Sequence, residues 1–269
     1  MPHLVRIGSC GWSYDDWKGV FYPAGTRAAD YLSLYAQQYP IVEVDSSFYR
    51  TPSRKMVEGW LARTPEHFGF SLKVPQSITH EKVLRDCQAE VDGFLAAARL
   101  LGPKLLCCVL QFSYFNRTHF SSAQEFLDLL DPFLASWPRD VPLAVEIRNK
   151  NWLKPPFIEC LRKHRAVWVL TDQAWMPSPL ELVKQFDVLT GPFAYIRLLG
   201  DRAAVDRLTS KLDHVVIDRT EQIQADAEAI GALRERAPVL VFVNNHYAGY
   251  SPATIEALRR ALGLLPANC

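Results

Sequence analysis

Several features that would define a class of protein are scarce or missing in this sequence of 269 residues. No run approaches the roughly 20 apolar residues that a membrane-spanning helix needs, and the first residues hold no apolar stretch typical of a signal peptide. Charge of one sign is also lacking, since 30 Lys and Arg stand against 29 Asp and Glu, whereas proteins that coat nucleic acid or anionic membranes are usually far more basic. These absences predict a soluble, cytoplasmic protein that binds no membrane.

Cysteine is sparse, and the usual metal-binding spacings are absent. No CxxC, HExxH or EF-hand loop appears, and such motifs are the common signs of a compact metal site. We therefore predict no metal site, although ligands drawn from separate barrel strands would leave no compact motif. The sequence leaves any cofactor unknown. A chain this long buries a large core without disulfides, so we expect small, buried, reduced thiols at Cys10, Cys87, Cys107, Cys108, Cys160 and Cys269.

What the sequence does contain is a series of short, β-rich apolar runs separated by helical stretches. The gaps leave room for the crossover helix that parallel strands require, and most gaps show the 3.6-residue apolar spacing of an amphipathic helix. The crossover around residues 180–186 is the weak one. The predicted strands are 4–9, 41–46, 68–74, 104–111, 142–148, 166–171, 193–198 and 238–244.

Eight strand–helix units in a chain of this length predict an α/β fold, a (β/α)8 barrel of the TIM type with eight parallel strands. No linker or composition shift marks a boundary, so we expect a single domain over residues 1–269. The alternative is an open doubly wound sheet, which normally has a glycine-rich phosphate loop after its first strand. The segment from Gly8 to Trp12 is too short and too aromatic for that loop.

Charged residues alternate with apolar ones near the ends of four predicted strands. Barrel strands are covered on both faces and are usually almost wholly apolar, so the apolar set is expected to face the helices and the charged set to point into the barrel, near the rim where barrel active sites lie. Because buried ions are costly unless paired, we predict that Glu43, Lys73, Glu146 and Arg197 converge in one ligand pocket. The charged positions are Glu43, Asp45, Lys73, Glu146, Arg148 and Arg197.

Three cations at one mouth favour an anionic ligand. Lys73 supplies an ammonium, whereas Arg148 and Arg197 each supply a planar fork that matches carboxylate or phosphate. Barrels often bind phosphate at a helix N-terminus beside their last strands, where Ser251 is expected to cap the last predicted helix. A salt bridge to Glu146 is the structural alternative for Arg148.

Aromatic and amide side chains complete the candidate site. Trp12 and Tyr14 lie nearest the end of the first strand and can stack on a sugar or base, although most aromatics of that loop are expected to pack it in place. The amides of Asn244 and Asn245 suit hydroxyls or a base edge, or they form a turn. Gln111 and Asp172 each end a predicted strand, where a polar residue is also often only a helix or turn cap. The other predicted substrate contacts are Tyr49, Gln111, Trp152 and Tyr195, and Asp172 is a candidate catalytic carboxylate.

Several segments occur in a characteristic order along nearly the whole chain. They are residues 7–14 (IGSCGWSY), 42–50 (VEVDSSFYR), 70–75 (FSLKVP), 144–148 (AVEIR), 195–197 (YIR) and 242–245 (FVNN). Together they resemble the YecE-like family, which is catalogued as domain of unknown function 72. The resemblance implies a TIM-type barrel and supplies no established reaction. It also adds His80, which follows Thr79 in the family's third-strand motif, as a catalytic candidate.

The sequence departs from the family pattern at a few positions. Asn149 and Leu199 stand where histidine is usual in the family, and His246 follows the asparagine pair. The fourth strand ends in Gln-Phe-Ser-Tyr from Gln111, rather than in the more common Gln-Leu-Pro-Pro.

Three functions remain open, with the reaction class undetermined. We favour an enzyme acting on a small anionic substrate, phosphorylated or carboxylated, with sugar phosphates and sugar acids among the candidates, because carboxylates in unlike environments can serve as general acid and base. The first alternative is a nucleic-acid-binding or phosphodiester-cleaving barrel that contacts the nucleic-acid backbone through Arg50, Arg54 and Lys55. This alternative rests on an analogy of fold alone. It requires that binding weaken steeply as the salt concentration rises. The second is a non-catalytic metabolite sensor. The catalytic candidates are Glu43, Lys73, His80, Glu146 and Asp172.

Overall fold

The computed structural model describes residues 2–265 and shows a closed barrel in which eight parallel strands follow one another in chain order. This architecture confirms the (β/α)8 barrel predicted from the sequence. The strands are β1 (Val5–Cys10), β2 (Ile41–Val44), β3 (Gly69–Lys73), β4 (Leu105–Gln111), β5 (Leu143–Glu146), β6 (Val167–Gln173), β7 (Ala194–Gly200) and β8 (Val239–Val243).

Within residues 2–265, nine α-helices lie between and after the strands in the sequence. The crossover around residues 180–186, whose helical signal in the sequence is weak, forms the helix α6. This helix begins with a capping box between Ser178 and Glu181. The crossover after β7 holds two helices, and the first of them was not predicted; Asp201 caps it by accepting a hydrogen bond from the Ala204 amide at 3.1 Å. The helices are α1 (Tyr31–Gln38), α2 (Arg54–Ala62), α3 (Gln88–Arg99), α4 (Ala123–Ser136), α5 (Pro155–His164), α6 (Pro179–Gln185), α7 (Arg202–Leu208), α8 (Thr220–Arg234) and α9 (Ser251–Ala261).

The end of β2 differs from the predicted one for a local reason. β2 ends at Val44 because the chain turns at once into a 3-10 helix, Asp45–Phe48. The Ser47 hydroxyl closes this turn, lying 2.7 Å from the Val44 carbonyl oxygen and 2.8 Å from that of Lys73. The turn therefore fixes Asp45 beside the end of β3.

The predicted capping role of Ser251 is wrong. α9 begins at Ser251 itself, and the residue before it, Tyr250, makes no side-chain capping bond. The Asn245 side-chain oxygen instead accepts a hydrogen bond from the Ser251 amide at 2.9 Å. Asn245, six residues upstream, thus provides the side-chain hydrogen bond at the start of α9 that the sequence suggested for Ser251.

The chain divides into two compact units. The first takes residues up to Val42, Leu170–Asp187 and residues from Phe193 on, and the second takes Glu43–Val169 and Val188–Pro192. The expectation of a single domain stays a prediction.

Aromatic rings pack the long loop after β1 in the first unit. Trp17, Tyr22 and Tyr31 are almost fully buried, and the rings of Tyr22 and Tyr31 stack with their centres 4.4 Å apart. The Tyr35 hydroxyl accepts a hydrogen bond from the Ser9 amide at 2.8 Å, which ties α1 to β1. Most aromatics of this loop therefore serve packing, as expected.

A second aromatic cluster lies in the second unit. The Trp152 ring stacks on Phe126 at 5.4 Å and on Phe115 at 6.1 Å. Phe120 and Phe112 complete it, each with an edge-on contact to Phe126. Trp152 thus joins the loops after β4 and β5 through its packing.

The cysteines that the structure describes are buried and form no disulfide with one another. This agrees with the expectation of small, buried thiols, and Cys269 lies outside the described residues. Over residues 2–265, no helix is both long and apolar enough to cross a membrane.

Candidate functional site

The acid at the end of β5, in the second unit, is fully buried and paired. The Glu146 side chain is 0% exposed, and it accepts a hydrogen bond from Arg148 Nε at 3.0 Å. The salt bridge left open by the sequence is therefore present. The Arg148 side chain keeps 25% exposure, and a guanidinium has five N–H donors, so bonding through Nε does not exhaust its capacity.

Lys73 ends β3 as a nearly buried ammonium between an acid and a ring. Its Nζ lies 3.5 Å from Asp45 Oδ1 and 4.4 Å from the centre of the Phe48 ring. Both partners belong to the 3-10 turn after β2. The face of an aromatic ring attracts a cation, so this turn holds the Lys73 ammonium in place and compensates part of its charge.

His80 lies on a single π-helical turn, Ser77–Glu81, that follows β3. Its Nδ1 is 2.7 Å from Thr79 Oγ1, and its ring stands edge-on to Phe48 with centres 4.9 Å apart. The Thr79 hydroxyl is also 3.4 Å from the Pro75 carbonyl oxygen. Such turns are frequent at functional sites, and this one orients the imidazole from two sides.

Burial and the neighbouring charges favour the neutral form of the His80 imidazole. Burial lowers the pKa of His80, and the positive charges of Lys73 and Arg148 lower it further, against a weaker opposite effect of Glu146. An ordinary histidine already loses its proton near neutral pH. The second unit therefore holds an imidazole, with its neutral form favoured, within electrostatic reach of two cations and a buried carboxylate.

Two other predicted residues of the second unit, Glu43 and Gln111, are also buried. Glu43 is 0% exposed in β2, and burial, together with the Glu43 charge, raises the pKa of the Cys107 thiol to about 12. Gln111 is aligned with Glu146 in the β4–β5 register. Its Nε2 donates to the Phe112 carbonyl at 2.7 Å, so this amide serves its own strand end.

Tyr49 is 74% exposed, and its ring stands edge-on to Phe48 with centres 5.2 Å apart. The convergence of Glu43, Lys73, Glu146 and Arg197 in one pocket stays a prediction, as do the substrate-binding roles of Tyr49 and Trp152.

The predicted stacking residues of the first unit also hold their loop together. The Tyr14 hydroxyl donates to the Cys10 carbonyl at 2.5 Å, and the Trp12 carbonyl accepts from the Tyr22 hydroxyl at 2.6 Å. Both side chains remain partly exposed. A stacking role for Trp12 and Tyr14 stays a prediction.

Tyr195 and Arg197 share one face of β7. They align with Leu240 and Phe242 of β8, and the Tyr195 ring stacks on Phe242 at 4.9 Å. Both side chains are buried, with Arg197 only 2% exposed. A buried guanidinium requires polar partners, and its anion-binding role stays a prediction.

The asparagine pair forms a turn after β8. The Asn244 side-chain oxygen accepts from the His246 amide and lies 2.9 Å from His246 Nδ1. The Asn245 oxygen accepts from the Ser251 amide. Both oxygens thus adopt the turn role that the sequence offered as an alternative to ligand binding.

Asp172 belongs to a carboxyl pair that sequence reasoning missed. The Tyr247 hydroxyl lies 2.9 Å from Asp226 Oδ2 and 3.5 Å from Asp172 Oδ2. Asp226, on α8, is 2% exposed. Burial raises the pKa of Asp226 well above its ordinary value, and the neighbouring Asp172 raises it further. Asp226 occupies one position in an amphipathic helix, and no local pattern distinguishes it from a solvated acid.

Two departures from the family pattern have structural roles. Asn149 exchanges two hydrogen bonds with the Phe115 backbone, at 2.8 and 2.9 Å, which joins the loops after β4 and β5. Leu199 is buried on β7. His246 lies with its Nε2 3.3 Å from Asp206 Oδ1 on α7.

The closed parallel barrel, with charged side chains at the carboxyl ends of β3 and β5, defines the protein as a TIM-type (β/α)8 barrel. The model of the family described as "Protein of unknown function DUF72" matches residues 6–268. The chain belongs to this family, which confirms the resemblance seen in the sequence.

Relatives in two bacteria and one solved structure agree with this assignment. The chain is 31% identical to the UPF0759 protein YunF of Bacillus subtilis over 58% of its length, and 27% identical to the UPF0759 protein YecE of Escherichia coli over 55%. The matched segments span only about half of each relative, 55% and 50%. A DUF72 family protein from Thermotoga maritima superposes with a TM-score of 0.77 at 26% identity, over 97% of this chain and 100% of that one.

Proposed function

We propose that the protein is an enzyme that binds a small anionic substrate, phosphorylated or carboxylated and with a sugar-like body, at the carboxyl ends of β3 and β5. The observation that carries the proposal is the packing of both Lys73 and His80 on the Phe48 ring, with the Lys73 Nζ 4.4 Å and the His80 ring centre 4.9 Å from its centre. The positive charges of Lys73 and Arg148 also lower the pKa of His80. A base of lowered pKa near two cations suits proton transfer on an anion that those cations hold.

Lys73 and Arg148 can each offer N–H groups to an anion. The separation of 3.5 Å between Lys73 and Asp45 exceeds the 2.7–2.9 Å or so of a strong charged hydrogen bond. An incoming carboxylate or phosphate oxygen can therefore compete with Asp45 for the Lys73 ammonium. Arg148 adds the N–H groups that do not bond Glu146.

His80 supplies the proton-transfer group in this proposal. When the Thr79 hydroxyl donates to the Pro75 carbonyl, Nδ1–H of His80 donates to Thr79 Oγ1. Nε2 then carries the lone pair and acts as the general base. Glu146, held by Arg148, supplies a fixed negative charge that stabilises the imidazolium once it forms.

Replacement of Lys73 by methionine tests the site. We expect the pKa of His80 to rise in the variant, because a positive neighbour that lowers it is lost. Inorganic phosphate should bind more weakly to the variant by about 1.5–3 kcal/mol, the contribution of a charged hydrogen bond. In the wild type, phosphate should itself raise the pKa of His80. Proton NMR of the imidazole, titrated with and without phosphate, measures both effects.

Lys163→Met is the matched control, because Lys163 pairs with Asp131 at 2.8 Å on the α4–α5 surface. The control should leave the pKa of His80 and phosphate binding unchanged. A pKa of His80 that changes neither on addition of phosphate nor on loss of Lys73 would contradict the proposal. Tight binding of a duplex oligonucleotide that weakens steeply with salt would favour the nucleic-acid alternative instead.

A further inference from the structure

The carboxyl pair of the first unit has too few hydrogens and too little positive charge for two ionised groups. Asp172 and Asp226 both approach the Tyr247 hydroxyl, which has one hydrogen to donate. If both acids were ionised, one carboxylate would face the lone pairs of the phenol oxygen. A buried carboxylate in that position would be strongly unfavourable.

Arg219 is a cation whose charge acts on both acids, but its Nε forms a hydrogen bond with a backbone carbonyl. Its Nε donates to the Tyr247 carbonyl at 2.9 Å, and its guanidinium lies 5.4 Å from the centre of the Tyr247 ring. Its charge lowers the pKa of both acids, but burial and mutual repulsion outweigh it at Asp226. One cation at a distance balances one of the two negative charges.

Several other charged groups near α8 pair with one another. α6 and α9 both pack against α8. On α6, Lys184 pairs with Glu228 at 3.0 Å, and on α9, Arg259 pairs with Glu256 at 3.2 Å. β8 consists of Val, Leu, Val, Phe and Val, and on the turn that carries Tyr247, His246 lies against Asp206.

We propose that Asp172 and Asp226 share a single proton through the Tyr247 hydroxyl at neutral pH and form a proton-donor site at the end of β6. The proposal goes beyond the substrate site of the second unit and does not depend on it. In one arrangement Asp226 O–H donates to the Tyr247 oxygen, and Tyr247 O–H donates to the Asp172 carboxylate. In the other, each proton has moved one step along this chain, so that Asp172 is the acid and Asp226 the carboxylate, with the total charge unchanged.

In this hydrogen-bonded series of three side chains, Asp172 is the member that a ligand can reach. It is only partly buried, whereas Asp226 is 2% exposed. A rotation of the Asp172 carboxyl group that shortened its 3.5 Å contact to Tyr247 would give an ordinary hydrogen bond of about 2.7–2.8 Å. A basic group of a ligand that takes the proton from Asp172 leaves both acids negative beside Arg219. Asp226 and Tyr247 act through Asp172 and are positioning residues.

The infrared spectrum of the full chain tests the proposal directly. The wild type should show the C=O stretch of a protonated carboxyl group at pH 7, and Asp226→Asn should lose it. The exposed acid Asp187, which pairs with Arg236 at 2.9 Å, is the matched control, and Asp187→Asn should keep the band. Absence of the band from the wild type at pH 7 overturns the proposal, and so does its persistence in Asp226→Asn.

Two further variants test whether the proton is shared. The pH at which the band disappears should fall in Asp172→Asn, because the repelling charge is removed, and rise in Arg219→Gln, because the attracting charge is removed. A purely structural role for Asp226 predicts no movement of this midpoint. Unchanged midpoints in both variants would show an isolated protonated acid and reject the shared proton.

Discussion

Replacement of Arg148 by methionine is expected to lower the free energy of unfolding by up to about 3–5 kcal/mol, the cost of breaking a buried ion pair on one side. The reason is the difference in burial between the partners. Glu146 is 0% exposed and loses the 3.0 Å bond from Arg148 Nε, whereas Arg148 keeps 25% exposure and can reach water. Glu146→Gln should therefore cost much less than Arg148→Met. Denaturant unfolding of the two variants measures the difference.

The exposed pair of Arg99 and Asp140 provides the control for this experiment. Its atoms are 2.9 Å apart, but its side chains are 47% and 62% exposed. Such surface pairs contribute about 0–1 kcal/mol, so Arg99→Met should change stability little. A loss in Arg148→Met no larger than in Arg99→Met would contradict the view that Arg148 neutralises a buried acid.

Gly200→Ala is expected to destabilise the protein by about 2–5 kcal/mol, since two costs add there. Gly200 has φ +66, a left-handed conformation that costs other residues about 1–2 kcal/mol. An added Cβ would also lie 2.6 Å from the His246 carbonyl oxygen and from Tyr247 Cα, and overpacking costs about 1–3 kcal/mol more. The turn that carries Tyr247 would have to move.

Gly25→Ala separates the two costs, because Gly25 has φ +80 and no atom within 4 Å of an added Cβ. This control should lose only the conformational part, about 1–2 kcal/mol. Thermal or denaturant unfolding of both variants gives the steric part by difference. Equal losses at the two positions would mean that the turn yields without strain.

The barrel could be predicted because its signals are local. Each strand appears as a short apolar run, and the period-two alternation within a single strand assigns Lys73 and Glu146 to the charged positions of β3 and β5 without knowledge of the neighbouring strand. The pairing of Arg148 with Glu146 was foreseeable as an alternative, since the two residues are two apart at one strand end. These inferences needed no long-range contact.

The carboxyl pair could not be predicted, because its members come from distant parts of the chain. Asp226 is 21 residues and Asp172 is 75 residues from Tyr247, and each has an ordinary local pattern. The Ser251 cap failed for a similar reason, because the side chain that serves the helix start belongs to Asn245. Contacts formed only in the folded chain determine these details.

The adjacent thiols of β4 can report the local opening of this strand. Cys107 and Cys108 are both 0% exposed, and burial raises the pKa of Cys107 to about 12 and that of Cys108 well above its ordinary value. Alkylating reagents attack the thiolate, so these sites are protected by both inaccessibility and protonation. Their labelling, followed as a mass increase of the β4 peptide, would time the excursions in which this strand leaves the sheet, with no engineered probe.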